Sequence, residues 1–422
     1  MLKYPLPALG LGLALFFSFV NHLAAQPLTQ AQLIQLALEH NPRIRAAQKT
    51  WEAARARIWP ARMLPDPELS FEYEALPEAP SLSRFGERSI GVAQTLEFPA
   101  RPYLRGQIAA QEAQVAELEY EAVRTEVAAE VAQACGRLWA GQRRLGYAEE
   151  SLRLATEFRD RTLVRVDAGD AARAELLRAV VEAGRAEVGK ATAQQQLRQA
   201  RAVLNTLLNQ DLSIPIELSE NLNYTPVAFD LQDLQQQALV HRPDLQGFRA
   251  HLKGTVGTQR LATYALVPDL NLGMASQKIR GEGDFWKAGL SLRVPLWAWG
   301  KQRGEIASAR AGVARAQAEE LAARNQVLLE VLGAFLKVEI TQHQLQLYRD
   351  RVLPSAEEAY RYVRRRYDEG GASYLEVIDA GRTLAEVRTA WVEIQLDYHI
   401  GITDLTKAIG GNQRDKKKEE TR

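Results

Sequence analysis

An internal repeat constrains this chain more than any other feature of its sequence. The segment LVRVDAGDAARAELLRA, which begins at Leu163, matches RRRYDEGGASYLEVIDA, which begins at Arg364. The short motif ALEHNP at Ala37 matches ALVHRP at Ala238 with the same offset of 201 residues. Self-similarity at a fixed offset indicates a duplicated structural unit, so we predict two copies of a unit of about 190 residues.

Two further matches have slightly different offsets. LPDPEL at Leu64 precedes VPDLNL at Val267 by 203 residues, and GQIAAQEAQVAE at Gly106 precedes GEIASARAGVAR at Gly304 by 198 residues. Insertions accumulate most easily in loops. We therefore expect these changes of offset to fall in loops between the secondary structure elements.

The repeat and the ends of the chain predict the domain organisation. Lys3 and an apolar run up to Val20 resemble a signal peptide, expected over residues 1–25, and the mature chain is expected to begin near Gln26 without a lipid-anchoring cysteine. The single cysteine, Cys135, lies among apolar residues at helical spacing, which favours a packing role. The remaining segments are predicted to be a first repeat (26–210), a linker (211–229), a second repeat (230–410) and a charged, disordered tail (411–422).

Each repeat contains two segments in which apolar and polar residues alternate strictly. These segments predict strands at about 67–76 and 88–98 in the first repeat, and at about 269–279 and 285–296 in the second. A length of about ten residues with one apolar face is typical of membrane β-strands. Trp297 and Trp299 follow the last strand, as aromatic residues often do at a membrane boundary.

Long helical segments follow each pair of strands. From about residue 103 to 166 apolar residues recur at spacings of three, four or seven, which predicts a helix of about 100 Å. Turns near Gly169 and Gly370 reverse the chain, so we predict helical hairpins over about 101–209 and 300–409, with a kink near Pro354. A shorter helix is predicted to run from about 43 to 62.

Four strands cannot close a barrel, and unpaired strand edges are not tolerated in lipid. The barrel must therefore be shared between copies of the chain. Two copies would supply eight strands, with an interior filled by side chains, whereas three would supply twelve and leave room for a pore. A conduit function favours three copies.

Several classes of function are not favoured by the sequence. The net charge of +1 argues against nucleic acid as a partner. We find no motif for a nucleophile with its base, a metal cluster or a phosphate-binding loop, so we expect no enzymatic activity, no cofactor and no metal site. His40 and His241 occupy equivalent positions before helix stops, which favours a structural role for both.

The motifs LALEHNPRIRAA, LPDPELSFEYE, GVAQTLEFP and YDEGGASYLEVIDAGRTL resemble those of the TolC-type outer-membrane efflux family over nearly all of the mature chain. LPDPELSFEYE is most similar to the cation-efflux (CzcC-like) branch, which serves exporters of cobalt, zinc, cadmium or copper. The resemblance implies a mainly α fold with membrane β-strands, in which a homotrimer forms a twelve-stranded barrel in the outer membrane. It also implies a helical periplasmic tunnel, in which helix 43–62 stacks end to end with helix 171–209.

The resemblance also implies partners and a role. The tunnel would dock an inner-membrane pump and a periplasmic adaptor and passively conduct what the pump exports, here heavy-metal cations. A general drug or organic-compound duct and a type I secretion duct remain alternatives. A periplasmic coiled-coil adaptor is a further alternative, although it would carry one hairpin and no membrane strands.

Site residues are carried over from the family by position. Glu376 and Asp379 match the acidic residues that narrow the pore; the alternative is that they are solvated acids near a helix N-terminus. A closed tip would be locked by an ion pair, for instance one that involves Arg173, Glu175 or Arg178, and the sequence does not decide among them. The adaptor-docking residues lie at the two turns: Gly169, Asp170, Gly370, Gly371, Ala372 and Ser373.

Overall fold

The computed structural model describes residues 28–74, 86–219, 227–297 and 300–411. The predicted signal peptide, the tail from residue 412 onward and Trp299 lie outside these residues. The chain contains ten α-helices and four β-strands within the described ranges. They are α1 (Gln30–His40), α2 (Pro42–Ala56), α3 (Ile58–Arg62), β1 (Glu68–Glu74), β2 (Glu87–Leu96), α4 (Ala100–Asp167), α5 (Arg173–Leu207), α6 (Leu231–His241), α7 (Pro243–Tyr264), β3 (Asp269–Ile279), β4 (Gly283–Arg293), α8 (Lys301–Leu347), α9 (Leu353–Asp368) and α10 (Tyr374–Ala408).

The four strands and the long helices appear where the sequence predicts them, with three departures. The helix predicted over 43–62 breaks at Arg57, because Pro60 cannot donate a hydrogen bond and its ring crowds the carbonyl four residues earlier. The predicted kink near Pro354 takes the form of a π-helical segment, Tyr348–Val352. The change of offset from 198 to 201 falls inside the helices that follow Gly106 and Gly304, so the prediction that it falls in a loop was wrong.

No helix among the described residues is both apolar enough and long enough to be a membrane span. The residues form two compact units. We call the first, which holds residues up to 45, 123–238 and 329 onward, the helical unit, and the second, which holds residues 46–122 and 239–328, the sheet unit. Each predicted repeat contributes segments to both units.

In the sheet unit the strands form an antiparallel sheet in the order β1-β2-β3-β4. The register aligns Leu69, Val92, Met274 and Ala288 in one row across the four strands. Large apolar side chains on this face, among them Leu69, Val92 and Met274, are exposed in the single chain. Contact with water would be unfavourable for an apolar surface of this kind. The described part of the chain supplies a partner on only one side of β1 and of β4.

Arg101, on the first turn of α4, holds the start of that helix to the start of β3. Its guanidinium donates to the Asp269 carboxylate at 2.6 Å, to the Tyr264 carbonyl at 2.9 and 3.1 Å and to the Val267 carbonyl. Both charged side chains are largely buried. A buried ion pair with this many hydrogen bonds orients the helix relative to the strand.

In the helical unit, α10 packs against both α4 and α8. His399 of α10 contacts the Ala132 carbonyl of α4 at 3.0 Å, and Val338 of α8 lies 3.2 Å from the position that a Cβ on Gly401 of α10 would take. The core consists of apolar side chains, which in α4 recur at spacings of three and four residues as predicted. It includes Val127, Val131, Cys135, Leu138, Val331, Val338, Leu345, Val392 and Leu405.

The N-terminal helices of this unit are joined to the end of α5. Asn41 donates from its side chain to the Leu207 carbonyl at 2.8 Å, at the point where α5 ends and α2 begins. Leu28 pairs with Leu218 in an isolated bridge, so the start of the described chain lies beside the predicted linker. The side chain of Asn41 therefore binds one of the carbonyls that the helix end leaves without an internal partner.

Candidate pore constriction and docking turns

The first turn reverses the chain between α4 and α5. Gly169 adopts a φ of +83°, a conformation that only glycine reaches without strain. Its amide donates to the Val166 carbonyl at 3.0 Å, and the amide of Asp170 donates to the Arg165 carbonyl at 2.8 Å. This pattern is a Schellman motif, which ends a helix by binding its last free carbonyls.

The second turn, between α9 and α10, has the same construction. Gly370 adopts a φ of +79° and donates to the Tyr367 carbonyl at 3.0 Å. Gly371 donates to the Arg366 carbonyl at 2.7 Å. The glycine matched by the repeat therefore has the same backbone role in both copies, which a sequence comparison alone leaves unproven.

The two predicted constriction acids lie on the first turns of α10. Glu376 belongs to a capping box: its carboxylate accepts from the Ser373 amide at 2.7 Å, while the Ser373 hydroxyl accepts from the Glu376 amide at 3.3 Å. Asp379 is exposed and lies near Arg382, whose pKa is raised first by its hydrogen bond to Glu182 and by the charge of that carboxylate, and to a smaller extent by the charge of Asp379. Ala372 precedes the cap and carries no polar side chain.

A cluster of aromatic side chains packs behind these acids, and sequence reasoning missed it. Phe158 of α4 stacks on Tyr374 with ring centroids 4.9 Å apart and contacts Tyr367 at 5.2 Å. Arg165 lies over the Tyr367 ring and donates to its hydroxyl at 2.7 Å. These contacts join the last turns of α4 to both sides of the second turn.

Tyr374 is the most strongly perturbed of these groups. Burial, reinforced by the negative charge of Glu182 and by Tyr367, raises the pKa of its phenol to about 12, against the opposing influence of Arg178 and Arg382. Its hydroxyl is buried and has no hydrogen-bond partner among the residues that the structure describes. The ring therefore remains neutral at physiological pH and acts as an apolar anchor for the start of α10.

The ion pairs around the turns differ from the candidates taken from the sequence. Glu182 of α5 pairs with Arg382 of α10, and Arg161 of α4 lies 3.9 Å from Asp368. Within the described ranges, no ion pair involves Arg173, Glu175 or Arg178. Glu182 and Arg382 lie 200 residues apart, and no local pattern of the sequence links them.

The sheet unit carries a second group of acids, on the polar face of the strands. Glu68, Glu72 and Glu74 alternate along β1, and the register places Glu74 directly opposite Glu87 of β2. Like charges directly opposite one another repel. We call these four residues the acidic face; on the same face β4 carries Lys287 and Arg293.

Within the described ranges, no three His, Cys, Asp or Glu side chains lie together in an arrangement that would hold a metal ion. His399 is packed between α10 and α4, and burial lowers its pKa against the opposing effect of the Ala132 carbonyl.

Comparison with known proteins gives consistent matches along the chain. The family model described as outer membrane efflux protein matches residues 33–210 and again residues 234–411. The cobalt-zinc-cadmium resistance protein CzcC of Cupriavidus metallidurans is 26% identical over 390 residues, which cover 92% of this chain and 91% of that protein. The toluene efflux pump outer membrane protein TtgF of Pseudomonas putida is 27% identical over 242 residues, covering 56% and 50%. The solved structure of CusC has a TM-score of 0.78 at 20% identity, covering 91% of this chain and 92% of that one.

Proposed function

Because the chain belongs to the outer membrane efflux protein family, we propose that it is the exit duct for heavy-metal cations in a three-component export system. It is an outer-membrane efflux channel whose helical part extends into the periplasm. Members of this family are trimeric channels that work with periplasmic adaptors and inner-membrane pumps. For this chain, we propose heavy-metal cations as the cargo and a pump and an adaptor as the partners.

The acidic face of the sheet is the observation that carries the cation assignment. The apolar face of a membrane strand contacts lipid, so the opposite face lines the interior of the barrel. Three copies of four carboxylates, only partly offset by Lys287 and Arg293, give that interior an excess of negative charge. Rings of carboxylates raise the local concentration of cations in a pore.

The similarity to CzcC supports the same cargo, since that relative is matched over nearly its full length and its name refers to cobalt, zinc and cadmium. The match to the toluene efflux protein covers half of each chain. A duct for organic compounds or a type I secretion duct would share the fold. The charge of the barrel interior favours the cations over both.

At the periplasmic end, we propose that Glu376 and Asp379 form the constriction. Both are exposed on one chain, and three copies would place six carboxylates around the axis. Glu376 also caps α10, so its carboxylate is held at a defined position rather than free in solvent. The turns that include Gly169, Asp170 and Gly370 are the proposed contact with the adaptor, because their exposed backbones project from the helix ends.

The constriction is tested by single-channel recording in a planar bilayer. The double variant Glu376→Gln and Asp379→Asn is expected to reduce the preference for cations over chloride; glutamine still fits a capping box, so the helix start is retained. Glu393→Gln on α10, farther from the turn, is the matched control. Identical reversal potentials for the double variant and wild type would refute the constriction.

The cargo is tested by growth of a deletion strain on a panel of divalent metals, dyes, detergents and antibiotics. Sensitivity confined to metals, restored by the wild-type gene, is the expected result. The variant with Glu68, Glu72 and Glu74 changed to glutamine is expected to restore metal tolerance only in part. Sensitivity to organic compounds with normal metal tolerance would contradict the proposed cargo while leaving the channel assignment intact.

A further inference from the structure

The apolar face of the sheet, which we call the outward face, changes character at one end of the strands. Its large apolar side chains, exposed in the single chain, are Leu69, Phe71, Ile90, Val92, Leu272, Met274, Trp286, Leu290 and Leu292. At the end where β3 turns into β4, the register aligns Tyr73, Arg88, Lys278 and Asp284 across the four strands. We call these four residues the charged row. Among the described strand residues, the charged side chains of the outward face all belong to this row.

The charged row lies at the ends of the strands that are not joined to helices. At the opposite ends, β1 follows α3, β2 leads into α4, β3 follows α7 and β4 leads into α8. The helical part of the channel extends into the periplasm, so the ends joined to helices are the periplasmic ones. The charged row therefore belongs to the outer side of the membrane.

The length of the strands places this row at the edge of the apolar band. The span of β2 from Leu96 to Arg88 measures about 27 Å along the strand, at about 3.4 Å per residue. A strand tilt of about 40° reduces this to about 21 Å along the membrane normal, close to the apolar band of about 25 Å in such barrels. Long basic side chains extend further towards the polar region, so Arg88 and Lys278 reach the lipid headgroups.

Two cations stand side by side in the charged row. The register pairs Arg88 of β2 directly with Lys278 of β3. Like charges directly opposite one another destabilise a sheet. Asp284 lies 3.5 Å from the Lys278 ammonium, but about half or more of each side chain in this pair is exposed, and such pairs contribute little. The row therefore keeps a net positive charge.

The two signs of charge are separated between the two faces of the sheet at this end. Glu74 and Glu87 are paired with each other on the acidic face. The turn between β3 and β4 holds one cation, Arg280, and one acid, Glu282, both exposed, so it adds no net charge. The outward face is therefore basic at the point where the opposite face is acidic.

We propose that Arg88 and Lys278 bind a phosphate group carried by a lipid of the outer leaflet. A phosphate between the two side chains accepts charge-assisted hydrogen bonds from both and removes their repulsion. The planar guanidinium of Arg88 suits bidentate contact with phosphate oxygens. The acyl chains of the same lipid cover Ile90 and Trp286, which are exposed in the next row towards the periplasm. A free phosphate ion makes no such apolar contact, which favours a lipid as the occupant.

Native mass spectrometry of the detergent-solubilised full chain tests the need for a phosphate. The probe is lipid A in its phosphorylated form, and dephosphorylated lipid A is the matched control. The wild-type protein is expected to retain the phosphorylated lipid about tenfold better, because two charge-assisted hydrogen bonds depend on the phosphate. Equal retention of the two lipids would overturn the proposal, and this comparison needs no variant.

A double variant, Arg88→Gln and Lys278→Gln, tests the two residues. It is expected to bind phosphorylated lipid A about tenfold less well than wild type, and no better than the dephosphorylated lipid. Lys287→Gln, on the opposite face of β4, is the matched control and is expected to bind as wild type does. The comparison uses preparations that elute as wild type does in size-exclusion chromatography. Undiminished binding by the double variant would refute the site.

Inorganic phosphate distinguishes a lipid from a free anion. A large excess of inorganic phosphate is expected to leave the bound lipid A in place, because the acyl chains add apolar contacts that the ion lacks. Displacement of the lipid by the ion would overturn the lipid as the occupant. All these measurements are independent of what the channel conducts, so their failure would leave the proposed cation export unaffected.

Discussion

His399 is expected to make the helical unit less stable as the pH falls. Its ring lies between α10 and α4, where Nε2 contacts the Ala132 carbonyl at 3.0 Å. The ring also leaves no room for a side chain at Gly136, since a Cβ there would lie 2.7 Å from its Cδ2 atom. Burial lowers the pKa of this imidazole below its ordinary value of 6.5.

The sign of the effect follows from proton linkage. The unfolded chain takes up a proton on this imidazole near pH 6.5, whereas the folded chain takes it up only at lower pH. The stabilisation is therefore complete above pH 6.5 and is lost as the pH falls from there towards the lowered pKa of the folded state. Each unit between the two pKa values is worth about 1.4 kcal/mol per chain.

The assay is thermal unfolding of the purified protein between pH 7.5 and 5.0, comparing wild type with His399→Gln. Glutamine keeps an N–H that can donate to the Ala132 carbonyl but cannot take up a proton, so its Tm is expected to fall less with pH. Near neutral pH the variant is expected to be less stable by about 1–2 kcal/mol, because its packing is imperfect. His251→Gln, at an exposed position, is the control and is expected to follow wild type. Parallel curves of Tm against pH for wild type and His399→Gln would refute the reasoning.

Five further substitutions, two of them controls, test single positions by thermal unfolding. Gly136→Ala is expected to destabilise by about 1–3 kcal/mol, because its Cβ would overlap the His399 ring. Gly146→Ala on the same helix is the control; its Cβ would meet no described atom within 4 Å, so it is expected to stabilise by about 1 kcal/mol. Equal effects of the two substitutions would contradict the packing. Gly370→Ala is expected to cost about 1–2 kcal/mol of stability, because alanine is strained at the positive φ of this position. An unchanged stability would contradict the requirement for glycine at this turn. Arg101→Ala is expected to cost about 3–5 kcal/mol of stability, because it leaves the buried Asp269 carboxylate without its partner. Lys49→Ala removes an exposed ion pair and is expected to change stability by less than about 1 kcal/mol. Similar losses for the two variants would refute the role of burial.

Much of the fold was predictable because its signals are local. Strict alternation placed β3 at its observed bounds. The break at Arg57 was missed because the alanine-rich segment favours a helix on both sides of Pro60. The sequence also predicted a kink near Pro354, while the π-helical geometry depends on how the helix packs.

The candidate site was only partly predictable. The repeat placed Gly169 and Gly370 at turns, and their positive φ values show why glycine stands at both. The capping role of Glu376 was readable from the serine three residues before it. The contact of Arg165 with Tyr367 was not, because the two residues lie 202 positions apart and no local pattern links them.

The sequence by itself determined the duplicated unit, the alternation of the strands and the heptad rows of the helices, since these are periodic properties of neighbouring residues. Only the tertiary structure decided which of two equally regular rows on α8 is buried, Val331 and Val338 rather than Leu329 and Leu336. Both rows satisfy the heptad rule, so the choice between them depends on which neighbouring helix the chain brings against α8. That contact joins residues far apart in the chain, and its free energy comes from burial, which no single segment contains.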